Sequence, residues 1–178
     1  QGHIMIQNTD KNISQTITLV QKGDVANALT FEDPLFKAYL TANFDTNNDK
    51  EIDTKEALNI TTIKCDNKSI YSLKGIEYFT NLTTLDCSNN SVVELDLRQN
   101  KQLTEVKCFS NSLVDLKIDG LDQLTYLDCK TNSLTTINTD TNLALIYYNC
   151  ASNVIKQLNV SNNTKLEKLY CHSCHLLT

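Results

Sequence analysis

The sequence has one proline, four glycines and no tryptophan among its 178 residues. So little proline and glycine would ordinarily mean few turns. Yet there are 21 Asn and 21 Thr, so asparagine, which tolerates left-handed backbone, must supply the turns. Excess basic charge is also missing: the net charge is -5 and the pI about 5.1, which argues against a general nucleic-acid or anionic-membrane surface. No apolar run approaches the roughly 18 residues of a membrane span. Histidine occurs only as His3, His172 and His175, leaving almost no room for histidine general-base chemistry. Seven cysteines is an odd number, which excludes a fully paired disulfide scaffold unless two chains join. With 40% apolar and 21% charged residues, the chain is not of disordered composition. No secretory signal is visible. The start, Gln1-Gly2-His3, reads as the remnant of a cleaved affinity tag, so residues 1–5 are set aside and the native location stays open.

What is present is a period. Cys87, Cys108, Cys129, Cys150 and Cys171 are each 21 residues apart, and Cys65 lies 22 before Cys87. Leu82, Leu103, Leu124, Leu145 and Leu166 open the units, and Leu85, Val106, Leu127, Tyr148 and Leu169 follow three later. Asn90, Asn111, Asn132 and Asn153 sit three residues after each Cys, with Cys174 in that column of the last unit. Val92, Leu113, Leu134, Ile155 and Leu176 come next, then Leu95, Leu116, Ile137 and Leu158. The pattern L-x-x-L-x-C-x-x-N-x-L-x-x-L is a leucine-rich-repeat signature. The expected fold is α+β: a solenoid of six rungs over residues 60–178 with a parallel sheet on its concave face, the last rung incomplete. The first unit carries one inserted residue near Gly75. The last stops at Thr178, one residue short of its next apolar column, so the solenoid is expected to continue beyond this sequence.

Each column has a physical reason. In L-x-C, period-2 alternation turns Leu and Cys inward, and strands of successive units pair in parallel. The Asn amides should satisfy backbone groups of their own turn and of the neighbouring coil, as a ladder. The cysteines are expected as free, buried thiols, because parallel rungs hold the Cβ atoms near the strand spacing, wider than the ~3.8 Å a disulfide prefers. Cys171-His172-Ser173-Cys174-His175 spells the haem-attachment sequence C-x-x-C-H. The ladder already accounts for Cys171 and the Asn column for Cys174, so neither haem nor zinc is expected there.

Residues 31–59 read as a small helical cap, preceded by a segment, residues 6–30, in which Ile13, Ile17, Leu19 and Val20 form a strand or a linker. Asp33 is a good N-cap and Pro34 suits the first helical position. The helix runs into a loop in which Asp45, Asn47, Asp49, Asp53 and Glu56 occupy positions 1, 3, 5, 9 and 12 of a calcium-binding EF-hand, with the Glu51 carbonyl at position 7 and Ile52 at the apolar eighth. Ca²⁺ takes six to eight oxygen ligands, and this set offers them. The sixth position, normally Gly, is Lys50; a side chain in left-handed backbone costs about 1 kcal/mol, and the ammonium places a cation near the site. A structural Ca²⁺ is the expected cofactor, against the alternative of a helix–loop–helix that caps the solenoid without metal.

Residues 31–178 resemble the internalin-type leucine-rich-repeat proteins of bacteria, which carry a helical, EF-hand-like cap before the first repeat. The 21-residue unit with Cys in the core column is similar to the cysteine-ladder subgroup, and such repeats are common in surface proteins of gut Bacteroides. Leu73-Lys74-Gly75-Ile76-Glu77-Tyr78-Phe79-Thr80-Asn81-Leu82 resembles the family's first repeats. The resemblance implies an exported or surface-anchored bacterial protein that binds other molecules through its concave face. A retained calcium loop departs from most internalin caps, and the family's anchor motifs are absent from these residues.

The outward strand positions form three columns on the sheet: Thr62, Thr84, Glu105, Tyr126, Tyr147, Lys168; then Lys64, Asp86, Lys107, Asp128, Asn149, Tyr170; then Asp66, Ser88, Phe109, Lys130, Ala151, His172. The second alternates in sign over four rungs and reads as a self-neutralising, solvated face. Phe109, Tyr126, Tyr147, Tyr170 and His172 put aromatic rings on the later rungs. They suit a ligand-binding patch or cross-strand pairs that only stabilise the sheet. The function expected is non-catalytic extracellular recognition or adhesion, with a protein or glycan at the concave face; the alternative is a structural spacer within a larger surface protein. No enzyme chemistry, nucleic acid or membrane span is expected. A monomer is expected, with end-to-end packing available at the uncapped last rung.

Overall fold

The computed structural model describes residues 28–174. Residues 1–5, Ile13, Ile17, Leu19, Val20 and His175 lie outside the described residues. Two helices precede the repeats, α1 (Pro34–Phe44) and α2 (Thr54–Asn59). Eight three-residue strands follow: β1 (Thr62–Lys64), β2 (Thr84–Asp86), β3 (Glu94–Asp96), β4 (Glu105–Lys107), β5 (Asp115–Lys117), β6 (Tyr126–Asp128), β7 (Tyr147–Asn149) and β8 (Lys168–Tyr170). Six of them form one sheet in the order β1-β2-β4-β6-β7-β8. Every pair is parallel, and Thr62, Thr84, Glu105, Tyr126, Tyr147 and Lys168 stand in one register row, as the columns predict. The ladder continues past the strands through the cysteines, with Cys87 N–H donating to the Lys107 carbonyl (2.9 Å) and Cys108 N–H to that of Asp128 (2.9 Å).

The core is a continuous column. Leu82, Leu85, Cys87, Leu103, Val106, Cys108, Leu124, Leu127, Cys129, Leu145, Tyr148 and Cys150 are wholly buried. All seven cysteines are free thiols; Cys171 and Cys174 are only half-buried, at the last described rung. Burial drives the thiol pKa of Cys65 and of Cys150 up to about 12, and those of Cys87, Cys108 and Cys129 well above the usual range. These groups are small hydrophobes, not nucleophiles.

The Asn ladder is built as the sequence implies. The Asn111 amide donates to the carbonyls of Cys108 (3.2 Å) and, one coil earlier, Cys87 (3.0 Å), while its Oδ1 accepts from Val92 N–H (3.0 Å). Asn90, Asn132 and Asn153 repeat this arrangement. In the last rung the Cys174 thiol takes the place of the amide, 3.1 Å from the Cys150 carbonyl. One residue before each of these positions the chain turns through left-handed backbone, at Asn89, Ser110, Thr131, Ser152 and Ser173, all with φ between 53° and 56°.

Two features lie outside the sequence reading. A second buried ladder runs through Asn100, Asn142 and Asn163, whose amides bond carbonyls of the preceding coil: Asn142 donates to Ile118 (3.0 Å) and Leu121 (3.1 Å). And on the other side of the coil β3 and β5 pair in parallel as a separate two-stranded sheet.

The cap closes the first rung. Phe36, Leu40, Ile52, Ala57 and Ile60 join the solenoid core, and the Tyr39 hydroxyl accepts from Lys64 N–H (3.1 Å) beside the edge of β1. Phe31 packs edge-on to Phe36 (5.7 Å) and against Phe79 (6.2 Å). Its ring occupies the space a side chain at Gly75 would need, and Gly75 is left-handed at φ 106°. That explains the glycine beside the extra residue of the first unit.

Candidate functional site

Two regions were singled out by the sequence. On the large sheet, the five aromatic residues divide. Tyr126 and Tyr147 stack face to face across adjacent strands, with ring centroids 4.3 Å apart and planes 5° from parallel. Tyr170 continues the row, tilted, 5.6 Å from Tyr147, and is 42% exposed. Lys107 Nζ lies 5.5 Å from the Tyr126 ring centroid. Partial burial, then the neighbouring Tyr147 hydroxyl, pushes the Tyr126 phenol pKa up, so it stays a neutral hydrogen-bonding group. Phe109 stands apart beneath Lys130 Nζ (4.8 Å), and His172 is exposed beyond the strand end. The five residues thus form a tyrosine row and a separate Phe109–Lys130 pair, with His172 beyond the strand end.

The charged column departs from the expectation. Ion pairs run along strands instead of across them: Lys107 binds Glu105, and Lys130 binds Asp128 (3.5 Å). Residues two apart on one strand share a face, as do cross-strand partners, and of the three carboxylates within reach Lys107 takes Glu105 rather than Asp86 or Asp128. The column is not uniformly solvated either, because Asp128 is 4% and Asn149 6% exposed. Asp86 spends a carboxylate oxygen on the Ser88 hydroxyl (2.6 Å) and N–H (3.1 Å).

In the cap loop, Asp45 follows α1 and accepts from Asn48 N–H (2.7 Å) and Lys50 N–H (2.9 Å). The Asn47 side-chain oxygen accepts from Asp49 N–H (2.9 Å), and Asp49 from Glu51 N–H (2.9 Å). Glu51 pairs with Lys37 (2.7 Å). Asp53 caps α2 by accepting from Glu56 N–H (2.8 Å). Glu56, 5% exposed, returns to Asp53 N–H (3.1 Å) and accepts from Thr46 N–H (2.7 Å). Lys50 is left-handed at φ 69°, the conformation that the sixth loop position requires. Ile52 is wholly buried, and its carbonyl accepts from Leu29 N–H (2.8 Å), while Ala28 bridges Asp53. Residues 28 and 29 thus belong with the cap, three residues before its expected start. The loop offers oxygen donors, the class a hard cation takes, and a left-handed turn at its sixth position. Among the described residues, however, no three carboxylate, Cys or His side chains converge on one point; the carboxylates instead hold the loop's own N–H groups.

No family model matches the chain, and no curated protein matches it in sequence. Solved structures do. The functional domain of InlJ from Listeria monocytogenes, which includes a cysteine ladder, is 38% identical with a TM-score of 0.78, over 83% of this chain and 33% of that one. The internalin InlF of the same organism is 23% identical with a TM-score of 0.74, over 83% of this chain and 45% of that one. Internalin C2 is 20% identical with a TM-score of 0.56, over 83% and 79%. The chain thus spans about a third of the InlJ functional domain and less than half of the solved InlF chain. Among the described residues no helix is long and apolar enough to cross a membrane. The repeat period, the free-thiol column and these likenesses agree: the chain is an internalin-like leucine-rich-repeat protein with a cysteine ladder.

Proposed function

We propose that this chain is a non-catalytic recognition module, acting outside the cell or on a bacterial surface, that binds a protein or glycan through the face of the six-stranded sheet. The observation that carries the reading is the tyrosine row. Tyr126 and Tyr147 are held in register on adjacent strands and Tyr170 leans against Tyr147 from the next strand, two residues beyond that register, so their edges, hydroxyls and the freer Tyr170 ring meet a partner with little entropy left to lose. Likeness to internalins supports an interaction role. The test is a glycan array and a host-surface protein array, each probed with the wild-type chain and with Tyr126→Ser/Tyr147→Ser. Binding lost in a folded variant supports the site; binding unchanged overturns it.

The spacer reading is favoured by one observation: Tyr126 and Tyr147 turn their faces on each other, and Lys107 beside Tyr126 is paired with Glu105 of its own strand. Absence of any binding on both arrays would favour it.

The loop Asp45–Glu56 belongs to the same proposal as a structural Ca²⁺ site. Asp45, Asn47, Asp49, Asp53 and Glu56 side chains and the Glu51 carbonyl would hold the ion, which would tie α1 to α2 under the first rung. Support comes from the oxygen donor set and the left-handed turn at Lys50.

A further inference from the structure

On the side of the solenoid away from the tyrosine row, a cavity of about 660 Å³ opens between the first coil and β3. Its origin is in the sequence. The first unit is one residue longer than the others, and its backbone is drawn toward the cap. Asp33 takes the N–H groups of Tyr71 and Ser72, the Ser72 hydroxyl takes Lys74 N–H (3.2 Å), and Glu77 takes Gly75 N–H (2.8 Å). None of these groups remains to pair with β3. On its other side β3 is fully engaged: Val114 N–H donates to the Val93 carbonyl and Leu97 N–H to that of Lys117, both at 2.9 Å. In a parallel ladder alternate residues serve alternate neighbours. The N–H and C=O groups of Glu94 and Asp96 therefore face the cavity, and among the described residues no strand pairs with them.

Three properties of this edge specify an occupant. Exposed Tyr71 and Val93, at 50% and 46%, stand at its mouth, and Leu95 and Ile76 line its floor. Five carboxylates line it, Glu32, Glu77, Glu94, Asp96 and Asp115, against two lysines. Arg98 and Lys117 offset Asp96 and Asp115 (2.7 and 3.1 Å), leaving Glu32, Glu77 and Glu94 with no ion-pair partner among the described residues. A strand added beside β3 would set its outward side chains opposite Glu94 and Asp96, where cations are favoured, and its inward ones over the apolar floor.

We infer that this groove is a second binding site, which takes an extended segment of alternating basic and apolar residues from a partner protein by strand addition to β3. Surface strand edges left open are commonly guarded by charge, proline or a covering segment; the charge guarding this one is predominantly negative, so it repels acidic strands while admitting basic ones into the adjoining cavity.

The test is fluorescence anisotropy with a labelled, alternating lysine–valine heptapeptide. The expected result is saturable binding to the full chain, weaker by about tenfold or more for Glu94→Lys/Asp96→Lys, because like charges then face each other. A glutamate–valine peptide should not bind. Of two lysine–valine peptides, N-methylated at the lysines or at the valines, the one whose methyls face β3 should lose about tenfold, since the backbone donors of that edge are gone. Binding insensitive to N-methylation, or unchanged in the folded double variant, would overturn the inference. So would a concentration-dependent dimer that those substitutions abolish, which would assign the edge to a second copy of the chain. Tyr126→Ser/Tyr147→Ser should leave this binding intact, separating failure here from failure of the tyrosine-row site.

Discussion

Asp33 and Tyr71 lie 38 residues apart, and the Asp33 carboxylate accepts the Tyr71 N–H. The same wholly buried side chain uses its other oxygen to cap α1, accepting from Leu35 (2.7 Å) and Phe36 (3.1 Å). One carboxylate therefore starts the helix and fastens it to the first repeat. Asp33→Ala should cost about 2–4 kcal/mol, combining a lost cap with buried N–H groups left bare. Asp33→Ser, which can still cap, should recover part of this. Urea denaturation checks both. A loss below about 0.5 kcal/mol for Asp33→Ala, the level of an ordinary surface change, would contradict the double role.

A reciprocal test applies to the second Asn ladder. The Thr139 hydroxyl donates to Asn163 Oδ1 (2.9 Å), whereas the Oδ1 atoms of Asn100 and Asn142 are buried without a partner. The residue corresponding to Thr139 is Ile118 for Asn142. Thr139→Val keeps the shape but strands an acceptor, and should destabilise by about 1–3 kcal/mol although it adds apolar surface. Ile118→Thr should cost far less than an ordinary buried Ile→Thr change, because it supplies the missing donor.

Thr131 is the β-branched member of the left-handed column, at φ 56°. Its side chain is exposed, so replacement touches little else. Thr131→Asn should stabilise by about 1 kcal/mol, bringing this rung into line with Asn67 and Asn89. A thermal melt reads this directly.

The buried thiols give stability a definite pH dependence. Their folded pKa is raised above the unfolded value, so the protonated folded state is favoured. That contribution is complete below about pH 8.5, where unfolded thiols begin to ionise, and is lost as pH rises toward about 12, the value for Cys65 and Cys150. Denaturation midpoints should fall steeply above about pH 9. At neutral pH a thiol-labelling time course should modify half-buried Cys171 and Cys174 well before the five buried cysteines.

The calcium proposal makes its own prediction. Calorimetry should show one Ca²⁺ site, and Lys50→Gly should tighten it several-fold by removing a cation and a strained φ. Glu56→Asp, too short to reach the ion, should weaken it. No heat and no melting shift at millimolar Ca²⁺ in either wild type or Lys50→Gly would exclude the site.

Most of the architecture was legible because one period repeats. The inward Leu and Cys columns, the register rows and the Asn90–Asn153 ladder each recur at nearly every rung, and the structure keeps them. The second ladder was not, because Leu121 interrupts it between Asn100 and Asn142. The β3–β5 sheet involves only two coils, too few for a column to stand out. Partner choice for Lys107 could not be read either: Glu105, Asp86 and Asp128 are all near, and side-chain reach decides among them. The aromatic columns predicted which tyrosines are neighbours, whereas their stacking geometry depends on rotamers that spacing does not encode.

The Asn90–Asn153 amides impose a direction on assembly. Each one reaches back, its Nδ2 to a carbonyl and its Oδ1 to an N–H of the coil before it. A coil is thus locked only when its successor arrives. A chain delivered N-terminus first would set each turn one step behind its own arrival, with the turn beside the cap locked first and the newest turn the loosest.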